Sequence, residues 1–331
     1  MDWNRRMRDD WDRRAREDAE SFIYTRDSAS DAEDFVRSGE ANYKQLVRPY
    51  LPILLHGQAA HDCCVVEIGC GIGRMTEWLA ADFGRVEALD VSPAMIQAAR
   101  QRLSQVSNIR FHIGSGSDLA PIADRSADLV FSYIVFQHIP SRAAIEGYVA
   151  DAARVLKNGG AIKFQLNGDR SPAYLAHPRD TWLGEVFSEA DVAHMLAAAG
   201  LAPIGSEGAG TQYYVVTAIK GEPPPRSYVL PGEPWAGPLL LKGFGAAVDA
   251  SWRPMANHAK VRLAGPGARL YLGLYFWPES CHHQLTVAGH RFQVAAPGDH
   301  YFECAANEGE IEITLDPAAE RAPAFRVIGL Y

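Results

Sequence analysis

Residues 65–73 read Val-Val-Glu-Ile-Gly-Cys-Gly-Ile-Gly, and this stretch decides the fold of the first half of the chain. Two β-branched residues lead to Glu67, three glycines follow at alternate positions, and an amphipathic segment runs from Arg74 to Asp82. This order predicts a strand, a tight turn and a helix start, the arrangement of a nucleotide-binding crevice in an α/β sheet. A dinucleotide fingerprint would need glycine where Arg74 stands, so the spacing disfavours a dinucleotide site.

Strand-like and helix-like segments alternate after this motif. Ser92-Pro93 supplies an N-cap and a first-turn proline for a helix through Leu103, and Ser141 begins another helix that reaches Leu156. The Gly159-Gly160 pair is expected to close that second helix, because glycine adopts the left-handed C-cap conformation. Strands separated by such helices imply a parallel sheet, and the predicted strands are 64–68, 85–89, 109–113, 127–131 and 161–166. A capping box at Ser188 then begins a further helix, and segments 201–205 and 213–219 are expected to form an edge hairpin.

The last third of the chain has a different pattern. Beyond a Pro/Gly-rich stretch, helical periodicity gives way to alternation: Leu270, Leu272, Leu274 and Phe276 face one way, and Tyr271, Tyr275 and Trp277 the other. A turn at Ala288-Gly289 predicts a hairpin, and at least six short strands together predict an antiparallel β-sandwich. The predicted parts are a helical cap (1–55), an α/β domain (56–220), a linker (221–238) and a sandwich-like domain (239–331).

Composition restricts the classes of function. The 331 residues carry a formal net charge of −8, which argues against a nucleic-acid partner. No apolar run is long enough to span a bilayer, and residues 1–20 lack a signal core. Five cysteines without a regular framework favour a reducing, cytoplasmic location. Cys281-His282-His283 has no second ligand pair beside it, so no metal site is predicted.

The ordered set of motifs resembles the class I S-adenosylmethionine-dependent methyltransferases over roughly residues 40–220. The features that carry the resemblance are Glu67-x-Gly69-x-Gly71-x-Gly73, Asp90 after the second strand, residues 127–132, and Leu156-Lys157-Asn158-Gly159-Gly160 before the fifth strand. It implies an α/β, Rossmann-like sheet of seven strands whose last strand is antiparallel, followed here by the smaller all-β, sandwich-like domain. It also implies S-adenosylmethionine as methyl donor and S-adenosylhomocysteine as product.

Each motif has a physical role in holding that donor. The glycines let a ligand lie against the backbone, and the helix start near Arg74 would face the donor's carboxylate. Glu67 is placed to hold the ammonium group, and Asp90 to accept both ribose hydroxyls. The other predicted donor contacts are Met95, Ser115, Gly116 and Ser132. Ser115 departs from the family pattern, in which many members carry Asp, and Met95 fits a plain core methionine equally well.

The acceptor side is less defined. His138 follows the fourth strand, at the sheet edge where α/β folds hold their ligands, so it is a candidate base or acceptor-positioning group. A histidine packed beside the donor, or capping the Ser141 helix, fits the same position. Further candidates for a substrate lid lie in the N-terminal arm and in the insertion 168–185: Tyr24, Tyr174, His177, Asp180 and Trp182. Taken singly, each of these also fits a structural role.

The leading functional hypothesis is methyl transfer to O, S or N of a small molecule or glycan by direct displacement at the sulfonium. One alternative is a carbohydrate-binding or scaffolding protein with an inactive methyltransferase-like domain, which the intact donor motifs disfavour. A nicotinamide oxidoreductase is disfavoured by Arg74. The aromatic face of the last third predicts docking against the first domain or a homodimer, and sugar stacking is the other use considered.

Overall fold

The computed structural model describes residues 2–24, 32–221, 228–229, 240–245, 252–263, 269–278, 282–319 and 321–330. The chain divides into two compact units. The first comprises Met1–Arg48, Gln58–Ile204 and Ala209–Glu222, and the second comprises Pro49–Gly57, Gly205–Gly208 and Pro223–Tyr331. Most of the predicted linker 221–238, and Cys281, lie outside the described residues. The boundaries proposed from the sequence, at 55, 220 and 238, stay predictions.

A seven-stranded sheet forms the centre of the first unit, counted over its described residues. Its strands are β1 (Cys64–Ile68), β2 (Arg85–Asp90), β3 (Ile109–Ile113), β4 (Ala127–Ser132), β5 (Leu156–Leu166), β6 (Leu201–Glu207) and β7 (Tyr214–Lys220). Their order is β3-β2-β1-β4-β5-β7-β6. The pairs β1–β2, β2–β3, β1–β4 and β4–β5 are parallel, whereas β7 runs antiparallel to β5. This confirms the predicted Rossmann-like sheet with its antiparallel last strand.

Helices flank this sheet and begin where the sequence places caps. They are α1 (Trp3–Ile23), α2 (Ala32–Leu46), α3 (Leu51–Leu54, in the second unit), α4 (Thr76–Asp82), α5 (Pro93–Arg102), α6 (Arg142–Val155), α7 (Pro172–Ala176) and α8 (Glu189–Ala198). The Ser92 hydroxyl accepts the N–H of Met95 at 3.1 Å, and Ser141 likewise caps α6. Ser188 and Asp191 form a complete capping box. All three predicted caps are confirmed.

Two local predictions are wrong. The helix after the glycine turn begins at Thr76 and not near Arg74. Residues 71–75 form successive turns instead, and Gly71 and Gly73 within them have positive φ. The second difference is that α6 ends at Val155, so the Gly159-Gly160 pair lies inside β5 and does not cap a helix. Gly159 has a φ of +80° there, and the register between β4 and β5 shifts next to it, which indicates a bulge.

Buried apolar side chains explain why β1 and β4 lie at the centre of the sheet. Val65, Val66, Leu129 and Val130 have no exposed surface, as expected for parallel strands covered on both faces. Asp128 is buried among them and is neutralised by the Lys157 ammonium, 2.8 Å away. The sheet is therefore held as a rigid platform under the loops at its carboxyl edge.

The second unit is all-β. Its described strands are β8 (Tyr228–Val229), β9 (Lys242–Phe244), β10 (Arg253–Leu263), β11 (Arg269–Phe276), β12 (His283–Val287), β13 (His290–Val294), β14 (Gly298–Ala305), β15 (Gly309–Asp316) and β16 (Ala324–Leu330). They pair antiparallel in the order β13-β12-β15-β10-β16-β11-β14, with β8 on β16 and β9 on β10. Strand β10 pairs with β16 at its start and with β15 further on, so it joins two halves of one sheet.

One apolar core fills the second unit. Leu270, Leu272, Leu274 and Phe276 are at most 1% exposed and belong to this core, which confirms the predicted alternation and the predicted antiparallel all-β class of this unit; its strands form one nearly barrel-like sheet. Tyr271 on the other face is also buried, because its ring stacks on that of Tyr301 with 5.7 Å between centroids. The hairpin between β12 and β13 is confirmed at Ala288-Gly289, where both residues have positive φ.

Two kinds of feature are absent from the described residues. No helix among them is both long and apolar enough to cross a membrane. No group of three or more His, Cys, Asp or Glu side chains in this part of the chain is placed to hold a metal ion.

Candidate active site

A cavity of about 870 Å³, including its open mouth, lies at the carboxyl edge of the sheet in the first unit. Its floor comes from the loops after β1, β2 and β4, and its cover from α1. The lining is Met7, Trp11, Phe22, Ile23, Glu67, Ile68, Gly69, Cys70, Gly71, Arg74, Met75, Asp90, Val91, Met95, Gly116, Tyr133, Ile134, Val135, His138, Ile139 and Tyr148. Carboxyl ends of parallel strands are where open α/β sheets bind their ligands.

The glycine turn forms one wall of this cavity. Gly69 and Gly71 have φ of +74° and +54°, a conformation that other residues rarely adopt. A Cβ on Gly69 would lie 2.3 Å from the Val135 side chain, and one on Gly71 would lie 2.7 Å from Ile23. Both positions therefore require glycine for backbone conformation and for close packing against neighbouring elements.

Glu67 ends β1 beneath the cavity and is 4% exposed. The Thr76 hydroxyl donates a hydrogen bond of 2.6 Å to its carboxylate, and the Arg74 charge lies nearby. Burial dominates and raises the pKa of Glu67 to about 7, against the opposing effects of Thr76 and Arg74. The cavity thus holds a carboxyl group that a cationic ligand would readily ionise.

Asp90 is the last residue of β2. Its two carboxylate oxygens each accept one backbone N–H, from Gly71 and from Ser92, both at 2.9 Å. Burial raises the pKa of Asp90 to about 6, and the nearby Asp12 carboxylate adds to the increase. Each oxygen retains a further lone pair for a ligand hydroxyl, since a carboxylate oxygen accepts about two hydrogen bonds.

Arg74 brings a positive charge to the same cavity. Its side chain is 4% exposed, and one terminal nitrogen donates to Asn42 at 2.7 Å and to Ser38 at 3.4 Å. Its buried Nε has no hydrogen-bond partner among the described residues. Buried donors without partners are rare in folded proteins, and this one is available to an acceptor atom of a ligand in the cavity.

Helix α1 covers the cavity. It is interrupted at Asp18, whose φ/ψ of −168°/87° is not helical, and residues on both sides of the interruption contribute to the lining. The Asp12 carboxylate fixes the helix to the start of α5, where it accepts hydrogen bonds from the Ser92 hydroxyl and the Ala94 N–H. Near the start of the same helix, the Asn4 amide donates a hydrogen bond of 3.0 Å to the Ser117 hydroxyl.

His138 lies in a short 3-10 turn after β4 and also lines the cavity. Its Nδ1 is 2.7 Å from the carbonyl oxygen of Trp182, and its Nε2 is 3.1 Å from the side-chain nitrogen of Gln137. Burial lowers the pKa of His138 to about 4, and the Arg14 charge adds to the decrease, while the Trp182 carbonyl opposes it. The imidazole is therefore neutral, and its basic nitrogen is already engaged.

Six of the predicted site residues and His138 meet in the cavity, and eight do not. The six are Glu67, Gly69, Gly71, Asp90, Met95 and Gly116. Outside the lining lie Gly73, Ser115, Ser132, Tyr24, Tyr174, His177, Asp180 and Trp182. Their contacts explain this in part: Ser115 closes its own loop by accepting the N–H of Ser117 and Asp118, and the Ser132 hydroxyl donates to the Ile68 carbonyl. Trp182 contacts the site indirectly, with its ring 5.0 Å from that of His138.

No motif in the sequence singles out Met7, Trp11 or Tyr133 as cavity residues. The four-residue spacing of Trp3, Met7 and Trp11 indicates a helix with one apolar face, but it does not show what that face covers. Arg74 is visible in the sequence as the residue that breaks the dinucleotide pattern. The signal that could have identified it is a lone cation next to a glycine turn.

Comparison with known proteins agrees with this geometry. Residues 66–164 match the family described as Methyltransferase domain. This segment is a methyltransferase domain. The match confirms the predicted class I methyltransferase family, whose methyl donor is S-adenosylmethionine.

Curated relatives cover only part of the chain. A demethylmenaquinone methyltransferase of Tropheryma whipplei (strain Twist) is 36% identical over 98 residues, which are 30% of this chain and 39% of that protein. A trans-aconitate 2-methyltransferase of Methylobacterium nodulans is 32% identical over 154 residues, which are 46% of this chain and 55% of that protein. The chain thus spans about half or less of the length of these relatives.

Solved structures of methyltransferases also align with part of the chain. A magnesium protoporphyrin IX methyltransferase from Synechocystis PCC 6803 with bound S-adenosylmethionine aligns at a TM-score of 0.49 and 18% identity, covering 67% of this chain and 98% of that one. A SAM-dependent methyltransferase from Aquifex aeolicus aligns at a TM-score of 0.42 and 18% identity, covering 57% and 98%.

Proposed function

We propose that this protein transfers a methyl group from S-adenosylmethionine to a small-molecule acceptor. One observation carries the proposal: Glu67, Asp90 and Arg74 converge on the glycine turn, inside a single cavity of a methyltransferase domain. Two carboxylates, one cation and a backbone surface without Cβ atoms match the ammonium, the ribose hydroxyls, the carboxylate and the flat adenosine of this donor. The buried Nε of Arg74, which has no hydrogen-bond partner among the described residues, supports a ligand at this place.

Each residue has a defined role in this proposal. Asp90 accepts the ribose hydroxyls with its remaining lone pairs, and Glu67 pairs with the ammonium group. Arg74 donates Nε–H to the carboxylate and takes the role that the sequence had suggested for a helix N-terminus, since α4 begins only at Thr76. Met95 is 1% exposed, lines the cavity and offers the adenine an apolar surface.

The donor supplies an activated methyl group at its sulfonium, so the chain needs to align the acceptor and exclude water. The cover formed by Met7, Trp11, Phe22 and Ile23 excludes water from the α1 side of the cavity. His138 does not serve as general base in this proposal, because its pKa is about 4 and its Nε2 already faces the Gln137 amide. This favours an acceptor atom that is nucleophilic at neutral pH without help from His138.

The acceptor class is proposed from size and lining. The relatives above are named for small acceptors, demethylmenaquinone and trans-aconitate, and the aromatic and aliphatic cover of this cavity suits a small, partly apolar molecule. Methyl transfer to O, S or N stays a prediction. The glycan acceptor stays a prediction as well.

An acceptor screen tests the proposal. The full chain is incubated with S-adenosylmethionine and a panel of small carboxylic acids, phenols, thiols and amines, and release of S-adenosylhomocysteine is followed. We expect turnover with at least one acceptor class, loss of that turnover in Asp90→Ala, and normal turnover in Asp124→Ala, an exposed carboxylate that pairs with Arg154. Donor binding without turnover on any class would instead favour the inactive methyltransferase-like alternative.

A further inference from the structure

The wall of the cavity after β4 contains a strained residue. Ile134 lines the cavity and has a φ of +55°, in the left-handed region that β-branched side chains avoid. Its N–H donates a hydrogen bond of 2.9 Å to the side-chain oxygen of Gln165, which comes from the neighbouring strand β5 and has no exposed surface. Such strain persists only where the surroundings enforce it, and it concentrates at functional sites.

Gln165 is the central member of a hydrogen-bonded relay. Its side-chain nitrogen donates to the Gln137 side-chain oxygen at 3.0 Å and also lies within hydrogen-bond distance of the carbonyls of Leu166 and Gln212. The Gln137 side-chain nitrogen is 3.1 Å from Nε2 of His138, whose Nδ1 is 2.7 Å from the Trp182 carbonyl. The relay therefore runs from Ile134 through three buried side chains to the 168–185 insertion.

Only one arrangement of hydrogens satisfies every member. A carbonyl oxygen only accepts, so Nδ1 of His138 must carry the hydrogen that faces Trp182. Nε2 of the neutral ring is then an acceptor, and it takes a hydrogen from Gln137, whose oxygen accepts from Gln165. The oxygen of Gln165 remains for the N–H of Ile134. All the donors point the same way, toward Trp182.

The far end of the relay meets the cover of the cavity. The Trp182 ring packs on His138, and the Trp11 ring of α1 lies 5.5 Å from the same imidazole. The Arg14 guanidinium lies over both indoles, 4.6 Å from Trp11 and 5.3 Å from Trp182, and donates to the Thr181 carbonyl at 3.0 Å. The relay thus links the strained wall residue to the Trp182 segment of the insertion and, through ring packing, to α1.

We propose that Gln165 is a positioning residue for methyl transfer: through Gln137 it fixes the orientation of the His138 imidazole, whose tautomer the Trp182 carbonyl sets, and it holds Ile134 in the conformation that shapes the cavity wall after β4. The proposal rests on the methyltransferase function proposed above. In this proposal, His138 orients α1 and the Trp182 segment of the insertion, and it does not transfer a proton. Loss of the relay should therefore affect the acceptor and leave the donor almost unaffected.

Kinetics of Gln165→Leu test the positioning role. We expect kcat/KM for the acceptor to fall by roughly ten- to a hundredfold, since buried polar partners are left unsatisfied and the wall is free to move. Affinity for S-adenosylhomocysteine should stay within about twofold, and Gln101→Leu, an exposed glutamine on α5, should change neither quantity. Equal losses in donor affinity and acceptor kcat/KM would show a merely structural residue and overturn the proposal.

A double-mutant cycle with Ile134→Gly isolates the strained residue. Glycine adopts the left-handed conformation without strain, so the wall should keep its backbone conformation without Gln165. We expect the fold-loss in acceptor kcat/KM caused by Gln165→Leu to be several times smaller in the Ile134→Gly background. An undiminished loss would mean that Gln165 does not act through Ile134.

A spectroscopic test does not depend on turnover. In protein labelled with ¹⁵N-histidine, Nδ1 of His138 should resonate as a protonated nitrogen and Nε2 as an unprotonated one, with His138→Asn identifying the signal. Gln165→Leu should shift the Nε2 resonance, because the Gln137 amide becomes free to rotate away from Nε2, while Nδ1 stays protonated against the Trp182 carbonyl. The opposite tautomer, or no change in the variant, would refute the relay even if methyl transfer is confirmed, and the predicted spectrum would stand even if no acceptor were found.

Discussion

Two carboxyl groups in the cavity are held at pKa values close to neutrality. Burial raises the pKa of Glu67 to about 7 and that of Asp90 to about 6, so both are partly protonated in the ligand-free protein near neutral pH. Glu67 must be ionised to pair with an ammonium, and Asp90 must be ionised to accept two hydroxyls. In the proposed donor site, binding would therefore release protons from these two side chains.

This coupling predicts a pH dependence of donor affinity. Because the bound state favours the ionised carboxylates, affinity for S-adenosylhomocysteine should increase as pH rises from about 5 to 8 and level off above the higher pKa. Calorimetry in two buffers of different ionisation enthalpy measures the protons released. Asp90→Asn should bind more weakly and lose the lower part of the dependence, whereas affinity that is flat or falls with pH would contradict these roles.

At the scale of elements, α1 is the part of the site that closes it. Asp12 of α1 accepts hydrogen bonds from Ser92 and from the Ala94 N–H at the start of α5, so one helix provides a cap for another. Met7 is 2% exposed and packs into the main core of the first unit. The cover is therefore fixed both by specific hydrogen bonds of Asp12 and by apolar packing of α1 side chains.

The cap contributed by Asp12 is testable by substitution. Asp12→Ala should lower the free energy of unfolding by about 1 kcal/mol, the usual value of a helix cap, because the two α5 donors lose their partner. Asp9→Ala is the matched control: its side chain is 69% exposed and pairs only loosely with Arg5 in the same helix. Urea denaturation compares the two, and equal losses would show that Asp12 does not fix α1 to α5.

Local signals in the sequence predicted the elements that depend on neighbouring residues. The caps at Ser92, Ser141 and Ser188 follow from hydrogen bonds within one helical turn, and the glycine turn follows from backbone conformation. The end of α6 was not predictable in this way, since Leu156 leaves the helix to pair with Ala127 of a distant strand. Tertiary pairing there overrides the preference of glycine for a helix end.

The candidate site shows the same difference between residues that local sequence signals predict and residues that depend on tertiary contacts. Glu67 and Asp90 are predictable because a strand end fixes their positions next to the glycine turn. The relay through Gln165 is not, because its partners come from segments up to 47 residues away in sequence, and a single buried glutamine has no motif. His138 lines the cavity, and its position after β4 is visible in the sequence, but its protonation and its partner Trp182 depend on how the insertion packs.

At the scale of the whole molecule, the residues that line the cavity all belong to the first unit. The second unit has its own apolar core around β11, and Tyr271 on its aromatic face is already used in stacking on Tyr301. Sugar stacking would have to rely on the remaining aromatic residues. The predicted homodimer and the cytoplasmic location stay predictions.

Because each unit has its own apolar core, a destabilising substitution in the second unit should leave the donor site intact. Leu272 has no exposed surface, so Leu272→Ala should destabilise that unit by about 2–5 kcal/mol through loss of apolar contact and the cavity left behind. Thermal unfolding measures this loss, and titration with S-adenosylhomocysteine at a temperature where the variant is folded should give an affinity within about twofold of the unchanged protein. A large loss of affinity would show that the second unit supports the site.

The identity of the donor is decided by titration calorimetry of the full chain with S-adenosylhomocysteine and, separately, with NAD. We predict saturable binding of S-adenosylhomocysteine, affinity reduced by at least about tenfold in Asp90→Ala through loss of charge-assisted hydrogen bonds, and unchanged affinity in Asp124→Ala. NAD should give no binding heat. Binding of NAD alone, or unchanged S-adenosylhomocysteine affinity in Asp90→Ala, would contradict the proposed donor site.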